Sequence, residues 1–232
     1  MFPIGDEDVK QSGVPWVTWG LVATNVLVFL YELTLSQIQL EQFYMTYGVV
    51  PAQIMQGQNL ISLLTSMFLH GGWLHIISNM IFLIVFGDNI EATLGKVLYI
   101  GFYLLGGLAG SAAHIVFNMG AQLPSLGASG AIAALLGAYV VMFPQSQVKV
   151  LFIFGIFARV TRVAAILFAG FWFVTQLFSG VASLGPTTAQ SGGVAYWAHI
   201  GGFVLGLIVG FLGRTLIPEQ ERQIARERDS RF

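Results

Sequence analysis

Residues 194–214 read Val-Ala-Tyr-Trp-Ala-His-Ile-Gly-Gly-Phe-Val-Leu-Gly-Leu-Ile-Val-Gly-Phe-Leu-Gly-Arg, and the segment is apolar nearly all round. It is long enough to cross a hydrocarbon layer about 30 Å thick. It nevertheless contains His199 and a run of glycines. At about 100° per residue, His199, Gly202, Gly206, Gly210 and Gly213 fall within one narrow sector of a helix. Such stripes of small residues let helix backbones approach closely in a bilayer. An ionisable side chain at membrane depth is costly, so the histidine heading this stripe is a functional-site candidate.

The rest of the chain agrees with a bilayer setting. Of its 232 residues 56% are hydrophobic and only 9% are charged, and the mean hydropathy is +0.76. A soluble domain carries about a quarter charged residues. Five more stretches qualify as spans, at approximately 15–34, 73–90, 97–118, 127–144 and 163–183. The fold class is therefore an all-α membrane protein with six transmembrane helices. Residues 1–14 form a cytoplasmic N-terminal segment, 15–214 the membrane domain and 215–232 a cytoplasmic tail. The run Val-Leu-Phe-Ile-Phe-Gly-Ile-Phe at 150–157, between Lys149 and Arg159, is too short for a seventh span and reads as interfacial.

Charge placement tests the count. With six spans, all ten basic residues, Lys10, Lys96, Lys149, Arg159, Arg162, Arg214, Arg222, Arg226, Arg228 and Arg231, fall on one side. None lies in the intervening loops 35–72, 119–126 and 184–193. The positive-inside rule then puts both termini in the cytoplasm. The first span, preceded by an acidic segment without a basic n-region, reads as an uncleaved anchor. With no long targeting extension, a bacterial cytoplasmic membrane is the expected location. A net charge of −1 without a basic groove argues against nucleic-acid partners. The absence of cysteine excludes a thiol nucleophile, and no cluster has metal-ligand spacing, so neither metal nor cofactor is expected.

The topology gathers polar residues at one depth. The second, fourth and sixth spans run from outside to inside, with His75 and Asn79, Ser129, and His199 early in each. At 1.5 Å per residue they lie within roughly 10 Å of the outer helix ends. The fourth helix has its own small face, Ser129, Ala133 and Gly137, to meet the glycine stripe. A serine hydroxyl becomes a competent nucleophile when a neutral histidine takes its proton. The oxyanion then formed needs donors. His75 and Asn79, four apart, share a helix face, and the Ser129 N–H begins a helix. No Asp or Glu lies in the outer halves of these three helices, which favours a Ser-His dyad over a triad.

These residues resemble the rhomboid intramembrane serine proteases. Gly127-Ala128-Ser129-Gly130 is similar to the GxSG nucleophile motif, and Ala198-His199-Ile200-Gly201-Gly202 to the histidine motif of the last helix. His70-Gly-Gly-Trp-Leu-His75-Ile-Ile-Ser-Asn79-Met80 resembles the segment opening the second helix, and Phe86-Gly87-Asp88 through Glu91 and Gly95 the turn after it. The resemblance spans roughly 60–214. It implies a six-helix rhomboid-like bundle in which Ser129 is the nucleophile and His199 the base, with Asn79, His75 and the Ser129 N–H as the oxyanion hole. Gly127, Gly130, Gly202 and Gly206 pack the helices at the site. It further implies transmembrane helices of other proteins as substrates, cut near their outer end, with the fifth helix and the 184–193 loop as gate and cap.

The chain departs from the pattern twice. Ala133 stands where some rhomboids place an aromatic against the histidine, and loop 35–72 has no arginine, Glu41 being its only charged residue. His70 and His114 read as structural, Asp88 and Glu91 as part of a cytoplasmic turn. Trp172 and Phe171 in the fifth helix are candidates for the substrate entrance or for packing. The alternative function is a catalytically inactive rhomboid-like scaffold that binds transmembrane clients. A transporter fits poorly, because the polar groups leave the inner half apolar.

Overall fold

A computed structural model describes residues 2–6, 13–154, 157–184 and 194–214. Six apolar helices build the bundle: α1 (Trp16–Glu32), α5 (Trp73–Leu94), α6 (Lys96–Phe117), α7 (Ser129–Met142), α8 (Ala165–Ala182) and α9 (Tyr196–Gly213). By length and composition α5, α6, α8 and α9 can cross a membrane, while α1 and α7 are apolar but shorter. Large apolar side chains face outward around the bundle, among them Val97, Phe178, Leu74 and Leu212. In water that surface would be a large association patch; here it is the surface of an integral membrane protein.

Helix α7 is the centre. Beyond Ser129, nearly all of its side chains are buried, so it has no lipid-facing stripe and no amphipathic pattern to keep. Its composition of Ala, Gly and Leu suits a helix surrounded by others. Helix α9 lies closest to it. A β-carbon on Gly202 would collide with the Gly130 carbonyl, one on Gly206 with the Ala134 carbonyl, and one on Gly137 with the Phe203 carbonyl. The glycine stripe of α9 is therefore a backbone-to-backbone seam, in which α7 contributes Gly130, Ala134 and Ala138.

The loop 35–72 is built rather than loose. It contains α2 (Gln37–Tyr47), α3 (Pro51–Met55), α4 (Ser62–Thr65) and a 3-10 turn over Ser66–Phe68. Helix α2 opens on a capping box, Ser36 with Gln39. The loop is stitched to the segment leading into α7: Val49 and Ser125 exchange backbone hydrogen bonds of 2.8 Å each, and the Gly127 N–H donates to the Ser66 carbonyl at 2.8 Å.

At the other end of the bundle a three-stranded antiparallel sheet forms from β1 (Phe2–Asp6), β2 (Gln147–Phe154) and β3 (Phe157–Ala164), with β2 central. It adds a feature that the helical reading did not contain. The apolar run at 150–157 is rich in β-branched and aromatic residues, which favours strands; its residues 150–154 lie in β2, which pairs with β3 from Gln147↔Ala164 to Phe154↔Phe157. The N-terminal strand is anchored through Asp6, whose carboxylate accepts from Asn89 Nδ2 at 2.8 Å and the Tyr139 hydroxyl at 2.6 Å.

The expected turn after the second span is also revised. Helix α5 continues through Leu94 and breaks only at Gly95, where φ is +74°. Glu91 is thus buried within the helix, accepting from the N–H groups of Val17 and Thr18 at 3.0 and 2.8 Å and from the Thr18 hydroxyl at 2.8 Å. The physical reason is that the first turn of α1 needs acceptors for its orphan donors, and Glu91 supplies them from the side.

Candidate functional site

Ser129 is the first residue of α7 and is half-buried. Its position follows from Gly127, whose φ of +126° turns the chain sharply into the helix. A β-carbon there would stand 2.7 Å from His75 Nε2 and 3.7 Å from Asn79 Nδ2. The two α5 side chains therefore lie against the turn that carries Ser129. Being the first helical residue, Ser129 has an N–H without an acceptor in a preceding turn.

His199 enters from α9. The contact next to it is tight: a β-carbon on Gly110 of α6 would be 2.8 Å from the Ala198 carbonyl and 3.1 Å from Gly130 Cα. Ser129 and His199 are the immediate sequence neighbours of that junction, Gly130 on one side and Ala198 on the other. Among the described residues no hydrogen bond joins Ser129 to His199; the imidazole Nδ1 is instead 2.7 Å from Gln176 Oε1. Its ring lies between Trp172, with centroids 5.7 Å apart at 32°, and Tyr196, at 6.5 Å and nearly perpendicular. Aromatic packing on the histidine thus comes from α8 and α9, which compensates for Ala133.

Asn79 and His75 are braced by His70. Asn79 is buried, and its Nδ2 is 2.9 Å from His70 Nε2. The Gly71 N–H donates to His75 Nδ1 at 3.4 Å, and the His70 and His75 rings meet edge-on at 5.0 Å. His70 is itself held through its backbone: its N–H donates to the Glu32 carboxylate at 3.1 and 3.3 Å, and its carbonyl accepts from the Tyr44 hydroxyl at 3.0 Å. Burial pushes the His70 pKa down to about 4, with His75 adding to the effect. From outside α5 it thus ties Asn79 to the loop that carries the Glu32 and Tyr44 contacts.

A small pocket opens beside Ser129, lined by Ser66, Ser111, His114, Ser125 and Gly127 among others. These polar groups supply the several partners that a water molecule needs. Three features were missed from sequence. Glu32 and Tyr44 act through long-range contacts that no local pattern encodes. Gln176 was legible, because an amide inside an apolar span is unusual and Trp172, four residues earlier, shares its helix face. Of the segments expected to act as gate and cap, the fifth helix is α8, and residues 185–193 of the loop lie outside the described residues.

A family profile described as Rhomboid domain matches residues 57–215. The chain is 27% identical over 214 residues to Rhomboid protein 1, mitochondrial, of Saccharomyces cerevisiae, covering 90% of this chain and 56% of that protein. It is 30% identical over 160 residues to RHOMBOID-like protein 6, mitochondrial, of Arabidopsis thaliana, covering 69% and 46%. Against Rhomboid protease GluP of Bacillus subtilis it is 33% identical over 131 residues, covering 56% and 25%. The chain spans about half the length of the first two relatives. Two of the three carry mitochondrial names, so these similarities do not single out a bacterial membrane.

Proposed function

The chain belongs to the rhomboid family, and from that premise we propose that it is an intramembrane serine endopeptidase cutting transmembrane helices of other membrane proteins near their outer end. The observation that carries this reading is the junction of Gly130 with Ala198 and Gly202, which puts Ser129 and His199 on adjoining backbones beside Asn79 and His75. In the proposed orientation six helices span the bilayer, both termini are cytoplasmic, and the Ser129 end faces outward. The described basic residues Lys96, Lys149, Arg159, Arg162 and Arg214 support it, being carried by the sheet and by helix ends remote from Ser129.

In this mechanism His199 Nε2 takes the Ser129 proton as Oγ attacks the scissile carbonyl. The oxyanion is met by the Asn79 amide, His75 and the Ser129 N–H. Collapse expels the amine, which receives the proton from His199, and leaves an acyl-serine. A water, deprotonated by the same histidine, releases the acid and restores Ser129. The polar groups lining the pocket beside Ser129 would hold that water. Substrate helices must unwind to expose a carbonyl, so Gly or Pro near the cut site assists.

Purified protein in liposomes, incubated with a labelled transmembrane substrate panel, tests the proposal. Wild type is expected to cleave, and Ser129→Ala and His199→Ala are not. A fluorophosphonate probe should label wild type and lose its label in both variants. Equal cleavage by wild type and Ser129→Ala overturns the assignment. Absence of both cleavage and labelling favours the inactive scaffold.

A further inference from the structure

We propose that Gln176 of α8 is a positioning residue that holds His199 in the tautomer able to act as a base toward Ser129. The inference rests on the Ser129–His199 reading and adds a third member to it.

The hydrogen bonds around Gln176 fix which way its amide points. Its Nε2 lies 3.4 Å from the Trp172 carbonyl and 3.2 Å from Thr175 Oγ1. A backbone carbonyl only accepts, and the Thr175 hydroxyl already donates to that same carbonyl at 2.6 Å. The amide nitrogen therefore belongs on the Trp172 side. Oε1 is then the atom that meets His199 Nδ1 at 2.7 Å. An amide oxygen has no proton to give, so Nδ1 must carry one. In a neutral imidazole this leaves Nε2 with its lone pair free, the form that general-base catalysis requires.

The arrangement is a neutral counterpart of an acidic triad member. Cysteine proteases of the papain type use an asparagine in the same sense. An amide fits this site better than a carboxylate, because both residues are partly buried among apolar helices and an unpaired charge there is expensive. Trp172, one turn before Gln176, packs its ring over the same imidazole. One face of α8 thus fixes both the plane of His199 and its protonation pattern, and Ala133 leaves α7 unable to do either.

The test uses full-length protein in micelles with 15N-labelled histidine, the His199 signals being assigned from His199→Gln. Wild type is expected to show His199 protonated at Nδ1. Gln176→Leu should convert it to a mixture or to the Nε2–H form, while Gln176→Glu, which keeps an acceptor, should retain Nδ1–H. On a transmembrane substrate Gln176→Leu should lower kcat by about tenfold or more with KM within about twofold, and Gln176→Glu should retain more activity. Gln176→Met, of similar length, serves if the leucine variant does not fold. A wild-type Nε2–H signal, or a pattern unchanged in the apolar variant, overturns the proposal. The tautomer readout stands even if no Ser129-dependent cleavage is found, so it fails separately from the enzymatic reading.

Discussion

Gly202 of α9 lies so close to the carbonyl of Gly130 on α7 that no β-carbon fits between them. Because the obstructing atom is backbone, rotamer adjustment cannot relieve the clash. Gly202→Ala must push α9 away from α7 and carry His199 from Ser129. Overpacking of this kind costs about 1–3 kcal/mol, and a displacement of about 1 Å at reacting groups lowers rates about a hundredfold. The expected result is a lower Tm in detergent with a larger loss of kcat. Gly101→Ala, where nothing lies within 4 Å, should leave both nearly unchanged. Equal behaviour of the two variants would sink the seam as the determinant of the site.

Asn79→Ala tests the oxyanion assignment. Removing one preorganised donor costs about a hundredfold to a thousandfold in kcat. The variant also leaves His70 Nε2 buried without its partner, adding about 1–3 kcal/mol of instability. Steady-state kinetics on a transmembrane substrate should show the kcat loss with KM little changed. A raised KM at unchanged kcat would instead make Asn79 a substrate-binding residue.

Legibility followed the physics. The bundle could be read because lipid demands apolar helices, and the α7–α9 seam because a glycine stripe has a helical period. His199, Ser129, Asn79 and His75 stood out as polar groups in apolar surroundings. The sheet did not, because Val148, Val150 and Phe152 look equally apolar in a strand, a short span or an interfacial segment, and the pairing strand β1 is remote in sequence. Glu91 reads as part of a turn from sequence because its partners, Val17 and Thr18, lie more than seventy residues away. Ala133 leaves the orientation of His199 open in the sequence; Trp172 and Gln176 contact its ring from a helix whose facing the composition alone did not set.

Glu91 predicts a coupling between α1 and α5. Its carboxyl oxygens take two N–H groups and one hydroxyl from the first turn of α1, where a negative group also meets the helix dipole. Glu91→Ala should lower stability by about 3 kcal/mol, read as thermal or denaturant unfolding in detergent. Glu91→Gln, which keeps one acceptor, should recover part of it. If Thr18→Val and Glu91→Ala add fully in the double variant, the two residues do not act through each other.

His70 predicts a pH dependence with a definite sign. Its folded pKa is near 4 and its unfolded value 6.5, so between those values the unfolded chain binds more protons than the folded one. Stability therefore rises with pH across this window and falls on acidification from 6.5 toward 4. A shift of this size is worth about 3 kcal/mol at most, and the loss levels off once both states are protonated. Protonating His70 would also turn Nε2 into a donor facing the Asn79 amide nitrogen, disturbing the contact that holds Asn79 as the fold weakens. Unfolding of wild type in detergent from pH 4 to 8 should show this slope, and His70→Gln, though less stable at pH 8, should show a shallower one. Parallel pH profiles for the two proteins would assign the acid sensitivity to other groups.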